Sequence, residues 1–344
     1  MRKNHLREAK SVGDACTGVR GKGRLSGLGF ALLYLTGFAL AISLLLYWQR
    51  SYFFPPETET ALRITVILAE DRGYTTNILR EGMSQAAFDH NCELTFVAPL
   101  QRSSSVEQTE LLVKEASDPP LGIILVPADL EKLAAKVQEL DLRFPVLYVN
   151  APANAHATVG PDYTALARAL AQRVLQEHPD VEHFDLFYSD GKNSAVKAVE
   201  SELKIALKAS SPKSVSSHAL TEDFNAPYYA SILKAQESSV LIALDASSLE
   251  KLGQSLDLYP QDSAVPALYG RGATPRNVDY LKREIVDCLI AESDYNAGYL
   301  AVANLAASIR SKKAPANILL EFHVLDRANI NNPDFELLLY PLIQ

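Results

Sequence analysis

Charged and amide side chains recur in this sequence directly after short apolar runs. Such runs predict strands, and small molecules bind beyond the carboxyl ends of the strands in an open parallel sheet. Planar or bidentate groups at these ends suit adjacent hydroxyls or a carboxylate, because they fix the orientation of a ligand in a dry cleft. The candidate binding residues are Asp71, Arg72, Asn150, Asp162, Asp190, Asp245, Arg271 and Glu292.

Most of these candidates also have a simpler interpretation as exposed loop residues or helix N-caps. Asp162 and Asp190 each stand shortly before a predicted helix, where a carboxylate accepts hydrogen bonds from free backbone N–H groups. For any single residue this interpretation is the more economical one. The convergence of several such residues on one cleft is what favours a binding site.

Arg271 is the candidate with the most specific local sequence. Gly270 and Gly272 flank it, and glycine would let a ligand approach the backbone closely. A buried cation without a counter-charge is costly. We therefore expect either an anionic ligand or a protein acid such as Asp245 or Glu292 to face the Arg271 guanidinium.

Motifs of catalytic and metal sites are absent from the sequence. It contains no G-x-S-x-G, H-E-x-x-H, C-x-x-C or G-x-x-x-x-G-K-[ST] pattern. Its seven histidines lack the spacing of metal ligands. We therefore expect that the protein is not an enzyme and that it needs no metal or cofactor.

The elements that position the candidates follow an alternating pattern of strands and helices. Nearly continuous apolar runs, each followed by a helical pattern, predict an α/β fold with parallel sheets that are covered on both faces. A break near residues 160–162 divides the pattern into two similar halves. The runs span residues 63–69, 93–98, 121–127, 145–150, 157–160, 184–188, 215–220, 240–244, 265–269, 286–291 and 319–325.

The 344 residues carry a formal net charge of −8, but this charge is unevenly distributed. The first 50 residues hold eight Lys and Arg against two Asp and Glu, and the remaining 294 hold 25 against 39. Binding to a phosphate backbone requires a basic surface. Nucleic acid is therefore excluded as a partner of the folded part.

An uncharged segment of 21 residues, Leu28–Trp48, predicts a transmembrane helix, because 21 residues in a helix cover about 30 Å. Seven basic residues precede it and only Arg50 follows closely. The positive-inside rule then predicts a cytoplasmic stub at residues 1–27, a linker at 49–61 and an extracytoplasmic domain. A cleaved signal peptide is the alternative; the length of the run and the lack of a small-x-small site argue against it.

Three cysteines, Cys16, Cys92 and Cys288, are too few for a disulfide framework. The last two each open a predicted strand, in different halves of the pattern. We therefore expect both to be free thiols that behave as small hydrophobic residues.

Four segments together resemble the type I periplasmic binding proteins, the ribose- and galactose-binding group, whose core also occurs in sugar-sensing repressors. The segments are Leu79–Gly82 (LREG), 159–162 (VGPD), 291–298 (AESDYNAG) and 315–330, and the resemblance covers about residues 62–330. It implies two Rossmann-like lobes joined by three crossovers, formed by 62–161 plus 293–316 and by 162–292 plus 317–344. The predicted membrane span stands where a repressor has its helix-turn-helix, which disfavours a repressor.

Several positions depart from the pattern of the sugar binders in that family. Asn150-Ala151 replaces an acid-Arg pair, Lys197 is the only base near a usual Arg, Arg271 replaces a ligand-binding Asp, and Glu292 replaces Gln. Ordinary binding of a neutral pentose is therefore not expected. Aromatic stacking on a sugar would fall to tyrosines, since the sole tryptophan is Trp48; the possible residues are Tyr74, Tyr148, Tyr163, Tyr188 and Tyr269.

These observations favour a membrane-anchored extracytoplasmic solute-binding protein that closes two lobes on a small polar ligand, sugar-like or anionic. Its partner in the membrane would be an ABC permease or a sensor histidine kinase. The alternative is a ligand-free docking module that kept the fold and lost the pocket.

Overall fold

A computed structural model describes residues 27–53, 60–152, 157–209, 214–220, 223–233, 239–260 and 265–339. The chain forms two compact units, Met1–Glu59 and Thr60–Gln344. Residues 1–26 of the predicted cytoplasmic stub, including Cys16, and residues 54–59 of the predicted linker at 49–61 lie outside the described residues.

The first unit contains one described helix, α1 (Gly27–Phe53), whose side chains are described at residues 32–46. The Leu and Ala residues that dominate this segment are strong helix formers, which explains why the predicted segment is helical. No helix within the described residues is long and apolar enough to cross a membrane. The transmembrane helix predicted at residues 28–48 is therefore not found in the structure.

The second unit contains two six-stranded sheets. The first sheet has the order β11-β5-β4-β3-β1-β2, and the second has the order β12-β10-β9-β8-β6-β7. The strands of the first are β1 (Leu62–Ile67), β2 (Cys92–Val97), β3 (Gly122–Leu125), β4 (Val146–Val149), β5 (Thr158–Pro161) and β11 (Ile318–Leu320). Those of the second are β6 (His183–Tyr188), β7 (Ser214–Ala219), β8 (Val240–Ala243), β9 (Ala267–Arg271), β10 (Cys288–Glu292) and β12 (Phe322–Asp326).

Helices connect and cover these strands. They are α2 (Tyr74–Asp89), α3 (Ser105–Ser117), α4 (Leu130–Glu139), α5 (Tyr163–Glu177), α6 (Ser194–Ala209), α7 (Ala226–Leu233), α8 (Ala246–Leu256), α9 (Pro275–Lys282), α10 (Asp294–Ser311) and α11 (Glu336–Leu339), the last preceded by a 3₁₀ turn at Pro333–Phe335. All described strand pairs are parallel except that of β12 with β10. The predicted α/β fold with parallel sheets is confirmed.

The chain passes between the sheets at three places, after β5, after β10 and between β11 and β12. We call the part built on the first sheet the first lobe and the part built on the second sheet the second lobe. Helix α5 packs against the second sheet and α10 against the first.

One boundary differs from the sequence-based assignment. Residues 317–344 were assigned to the second lobe, but β11 pairs with β5 in the first sheet. The apolar run at 319–325 is in fact two strands that separate at Glu321. An apolar run has the same appearance in one strand as in two, so the hydrophobic pattern alone could not show this division.

Each sheet is buried on both faces by its helices. All four residues of β3 and of β8 are buried, which explains why these strands are continuously apolar in sequence.

In the first lobe, α2 and α10 cross at very short distance through two glycines. A Cβ atom on Gly82 would lie 2.0 Å from the Tyr295 carbonyl oxygen, and one on Gly298 would lie 2.1 Å from the Leu79 carbonyl oxygen. Both positions therefore require glycine. This contact gives a physical reason for the glycines of the LREG and AESDYNAG segments.

Cys92 begins β2 in the first sheet, and Cys288 begins β10 in the second. Both are free, Cys92 partly exposed and Cys288 buried. The prediction of two unpaired cysteines is confirmed, and burial raises the pKa of the Cys288 thiol to about 12, which keeps it protonated and unreactive.

Candidate functional site

A cavity of about 240 Å³ lies between the two lobes, where the carboxyl ends of both sets of strands face each other. Its first-lobe wall consists of residues in the loops after β1, β2, β3 and β4 and of the start of α10. Its second-lobe wall consists of residues at the ends of β9 and β10 and in the loops after β6 and β8. This is the position that open parallel sheets use for ligands.

Five of the eight sequence-predicted binding residues line this cavity: Asn150, Asp190, Asp245, Arg271 and Glu292. They come from five different strand ends in two lobes. Only the fold brings them together, because carboxyl ends of parallel strands share one edge of a sheet.

The other three candidates do not line the cavity. Asp71 is exposed and forms an ion pair with Arg80 of α2, with 2.8 Å between Oδ1 and Nη2. Arg72 is exposed. Asp162 accepts a hydrogen bond from the backbone N–H of Ala165 at 3.0 Å and is the N-cap of α5. The N-cap interpretation of Asp162 is therefore correct, and its assignment to the ligand site is not supported.

Arg271 and Glu292 form a bidentate ion pair between the neighbouring strands β9 and β10. The Arg271 Nη2 donates to Glu292 Oε2 at 2.8 Å, and Nε donates to Oε1. The side chains are only 13 % and 12 % exposed. Burial alone would lower the pKa of Arg271, but the Glu292 carboxylate more than reverses this, so the pKa lies above its ordinary value. The Tyr163 ring lies 5.0 Å from the guanidinium carbon, which adds a cation–π contact.

The expected counter-charge of Arg271 is therefore a protein acid, Glu292. Asp245, the other acid considered, bonds elsewhere. The charge of Arg271 is thus compensated within the second lobe before any ligand binds.

The glycines beside Arg271 allow close packing of β9 against α8, whereas the sequence predicted that they make room for a ligand. A Cβ on Gly270 would lie 2.7 Å from Leu249 Cδ1 and 3.0 Å from Ala243 Cβ. Gly272 has φ +104°, and a Cβ there would lie 2.4 Å from Ala246 Cβ. Both glycines thus let β9 pack against α8, whereas the sequence suggested room for a ligand. Gly272 nevertheless lines the cavity.

Two carboxylates of the second-lobe wall differ in their hydrogen bonding. Asp245 caps α8 through the Ser248 N–H at 2.8 Å and also accepts from Ser189 N at 2.8 Å and Ser189 Oγ at 2.7 Å. Asp190 Oδ1 accepts from Lys192 N at 2.9 Å. The other oxygen of Asp190, Oδ2, is buried and accepts no hydrogen bond from the described residues.

Asp294 is a cavity carboxylate that the sequence analysis missed. It is the first residue of α10, and Asn150, held at φ +53°, donates to it from Nδ2 at 3.4 Å. Burial, together with the nearby Glu292, raises the pKa of Asp294 to about 7 despite the opposing effects of Arg271 and Asn150. The only sequence signal is its place in the AESDYNAG turn, two residues after a strand end.

The first-lobe wall holds a second ion pair that was also missed. Arg102, from the loop after β2, pairs through Nε with Glu70 Oε2. Tyr74, at the start of α2, lines the cavity near this pair. Tyr74 is therefore the stacking candidate that the structure places in the cavity, whereas Tyr163 lies against Arg271 instead.

The charges of the cavity do not cancel. Five carboxylates line it, those of Glu70, Asp190, Asp245, Glu292 and Asp294, together with two guanidinium groups, those of Arg102 and Arg271. Each guanidinium pairs with one carboxylate. Among the described residues, Asp190, Asp245 and Asp294 have no ion-pair partner. The described residues contain no group of His, Cys, Asp and Glu that could hold a metal ion.

The comparison with protein families finds the periplasmic binding protein domain over residues 65–313. The comparison with curated proteins finds no match.

Solved structures share the fold at low sequence identity. A carbohydrate transporter solute binding protein from Agrobacterium radiobacter, in complex with D-arabinose, is 15 % identical with a TM-score of 0.72, covering 82 % of this chain and 100 % of that one. An ABC transporter solute binding protein from Agrobacterium vitis with bound D-fucose is 16 % identical with a TM-score of 0.72, covering 81 % and 100 %.

A putative LacI transcriptional regulator from Bacteroides fragilis is 14 % identical with a TM-score of 0.69, covering 79 % and 99 % of the two chains. At these identities the structural likeness establishes the fold. The family match covers most of the chain, and the resemblance seen in the sequence is confirmed: this chain belongs to the periplasmic binding protein domain family.

Proposed function

We propose that this protein is a non-enzymatic solute-binding protein that closes its two lobes on a small, polyhydroxylated molecule. The observation that carries the proposal is the interlobe cavity, whose walls present carboxylate, amide and guanidinium groups from strand ends of both lobes. A ligand that bridges both walls stabilises the closed arrangement over the open one. The Agrobacterium proteins of the same fold carry D-arabinose and D-fucose.

The charge of the cavity favours a ligand without negative charge. Both guanidinium groups are already paired, and three carboxylates are not. An anion would therefore meet like charges and would find no unpaired cation in the described walls. Of the two ligand types expected from the sequence, the sugar-like one fits and the anionic one does not.

Contacts between the lobes also support closure. The backbone N–H of Leu130, the first residue of α4, donates to Ser194 Oγ, in the first residue of α6, at 2.8 Å. Pro127 and Ala195, close to this hydrogen bond in sequence, line the cavity. This direct hydrogen bond between lobes stands at the edge of the site, where closure on a ligand would strengthen it.

A ligand-free docking module is the second candidate. The observation that favours it is that both guanidinium groups of the cavity are paired with protein carboxylates, so neither needs a ligand to neutralise its charge. A ligand screen separates the two functions.

Location and partner are the parts of the proposal that come from the sequence alone. The basic residues before the uncharged run at 28–48 suggest an extracytoplasmic domain that stays attached to the cell membrane through its N-terminal segment. The partner would then be an ABC permease or a sensor histidine kinase.

The test is a thermal-shift screen of the full chain against sugars, polyols, sugar acids, nucleosides and amino acids. A ligand at 100 times its dissociation constant adds about 2.7 kcal/mol to the free energy of unfolding. We expect a sugar or polyol to raise the melting temperature of the wild type and of Asp71→Asn, which lies outside the cavity. Asp190→Ala should lose this shift. A panel without a single stabilising compound would favour the docking module.

A further inference from the structure

We infer that the ligand carries an ammonium group on its hydroxylated framework, as an amino sugar or an amino polyol does, and that this group binds the unpaired carboxylates of the cavity. The inference rests on the proposed function, because it names the ligand class of the same site. It depends on two further observations: the surplus of negative charge in the walls and the unused hydrogen-bond acceptors.

The surplus of charge is confined to a small space. Asp190, Asp245 and Asp294 line a cavity of about 240 Å³, and no described base pairs with any of them. Like charges that share one cavity, partly shielded from water, repel each other and disfavour ionisation. The pKa of Asp294, raised to about 7 by burial and by Glu292, is consistent with an environment short of positive charge.

The unused acceptors lie at two of the three carboxylates. Asp245 already accepts three hydrogen bonds from Ser189 and Ser248. Asp190 Oδ2 is buried without any partner among the described residues, and from that same part of the chain Asp294 accepts one side-chain hydrogen bond, from Asn150 Nδ2 at 3.4 Å. A buried carboxylate oxygen without a donor is costly, so a ligand that donates to Asp190 Oδ2 relieves that cost, and a second donor to Asp294 adds to its single long contact.

Hydroxyl groups could supply donors, but they supply no charge. An ammonium group supplies three donors and one positive charge. A hydroxyl that donates to a carboxylate gains only from the charge of the acceptor, whereas an ammonium donor adds the attraction between opposite charges. A protonated amine therefore satisfies both deficits of these walls at once, whereas a neutral sugar satisfies only one.

The experiment is calorimetric titration of the full chain with matched pairs of ligands. Each pair is a neutral pyranose and its amino-deoxy counterpart, with the amine at position 2 or 6, in the gluco, galacto and manno series. We expect at least one amino compound to bind ten-fold or more tightly than its neutral partner. The advantage should shrink as salt is added, because the attraction is electrostatic.

Charge-neutral variants test the assignment to these carboxylates. Asp190→Asn and Asp294→Asn keep the shape of the side chain and should each reduce the preference for the amine, while Asp71→Asn should not. An ammonium group favours ionised Asp294, and near pH 7 part of this carboxyl is protonated, so binding should release a fraction of a proton from Asp294. This release appears as a dependence of the heat on the buffer, and the contribution of Asp294 to it should be lost in Asp294→Asn.

Three results would contradict the inference. A neutral sugar that binds as tightly as its amino counterpart overturns the inference and leaves the proposed function standing. A preference for the amine that survives both carboxylate variants overturns the assignment to Asp190 and Asp294. A panel in which no member of any pair binds overturns the inference, and the wider thermal-shift screen then decides separately whether the proposed function fails as well.

Discussion

The Arg271–Glu292 pair is the part of the site whose energetics the structure defines best. Replacing Glu292 by Gln keeps the volume of the side chain and removes its charge. The Arg271 guanidinium, 13 % exposed, then remains buried without a counter-charge. Breaking a buried pair in this way costs about 3–5 kcal/mol. At about 2–4 °C per kcal/mol, the melting temperature should fall by about 6–20 °C.

A double-mutant cycle separates the pair from the rest of the site. Arg271→Met should be destabilising for the same reason, since it leaves the Glu292 carboxylate buried and unpaired. The double variant, Arg271→Met with Glu292→Gln, removes both charges and should lose much less stability than the sum of the two single variants. Urea and thermal denaturation of the four proteins give the coupling free energy.

An exposed ion pair of the same lobe provides the control. Arg276 contacts Glu250 at 3.2 Å, and these side chains are 58 % and 37 % exposed. Glu250→Gln should therefore cost at most about 1 kcal/mol. If Glu292→Gln proves as mild as Glu250→Gln, the cavity pair is not shielded from water, and the argument that Arg271 is neutralised within the protein fails.

Three further predictions follow from the fold and the sequence. Gly298→Ala should destabilise the second unit by about 1–3 kcal/mol, because its Cβ would lie 2.1 Å from a carbonyl oxygen of α2. The control variant Gly37→Ala, whose Cβ would have no atom within 4 Å, should not destabilise it. Equal melting temperatures of the two variants would contradict the close helix crossing. Cys92 and Cys288 should both react with an alkylating agent after unfolding without reductant, and a mass showing them bridged would refute their separation between two sheets. N-terminal sequencing of the membrane fraction should find an uncleaved chain; a mature protein that begins near Ser51 would show that the apolar run is a signal peptide.

The sequence was sufficient to predict the architecture of the second unit because parallel strands buried on both faces are nearly continuous apolar runs. The fully buried strands β3 and β8 are examples. The pattern was insufficient where one apolar run contributes strands to both sheets, as it does at β11 and β12. Hydrophobicity reports that a residue is buried, but it does not report which sheet buries it.

The candidate site was predicted in part for a similar reason. Strand ends identify which segments meet at the cavity, and they correctly predicted Asn150, Asp190, Asp245, Arg271 and Glu292 as lining residues. They do not determine which of several consecutive loop residues points inward: after β1 the cavity is lined by Glu70, whereas the sequence analysis selected Asp71 and Arg72. That choice depends on the local path of the backbone.

Ion pairing was the feature least accessible to sequence analysis. Arg102 comes from a loop after β2, and its partner Glu70 follows β1, about thirty residues earlier in the chain. No spacing rule connects two such positions. Arg271 and Glu292 could be connected only as possibilities, since Asp245 was an equally reasonable partner until the register of β9 and β10 was known.

That register changes the meaning of the departures from the family pattern. Taken singly, an Arg in place of a ligand-binding Asp and a Glu in place of Gln each suggest a lost sugar site. In the structure the two substitutions lie on adjacent strands and neutralise each other, so they constitute one compensated change. A compensated pair removes the penalty of either substitution and leaves the remaining carboxylates of the cavity available to a ligand. The two departures therefore argue for an altered ligand more strongly than for the loss of one.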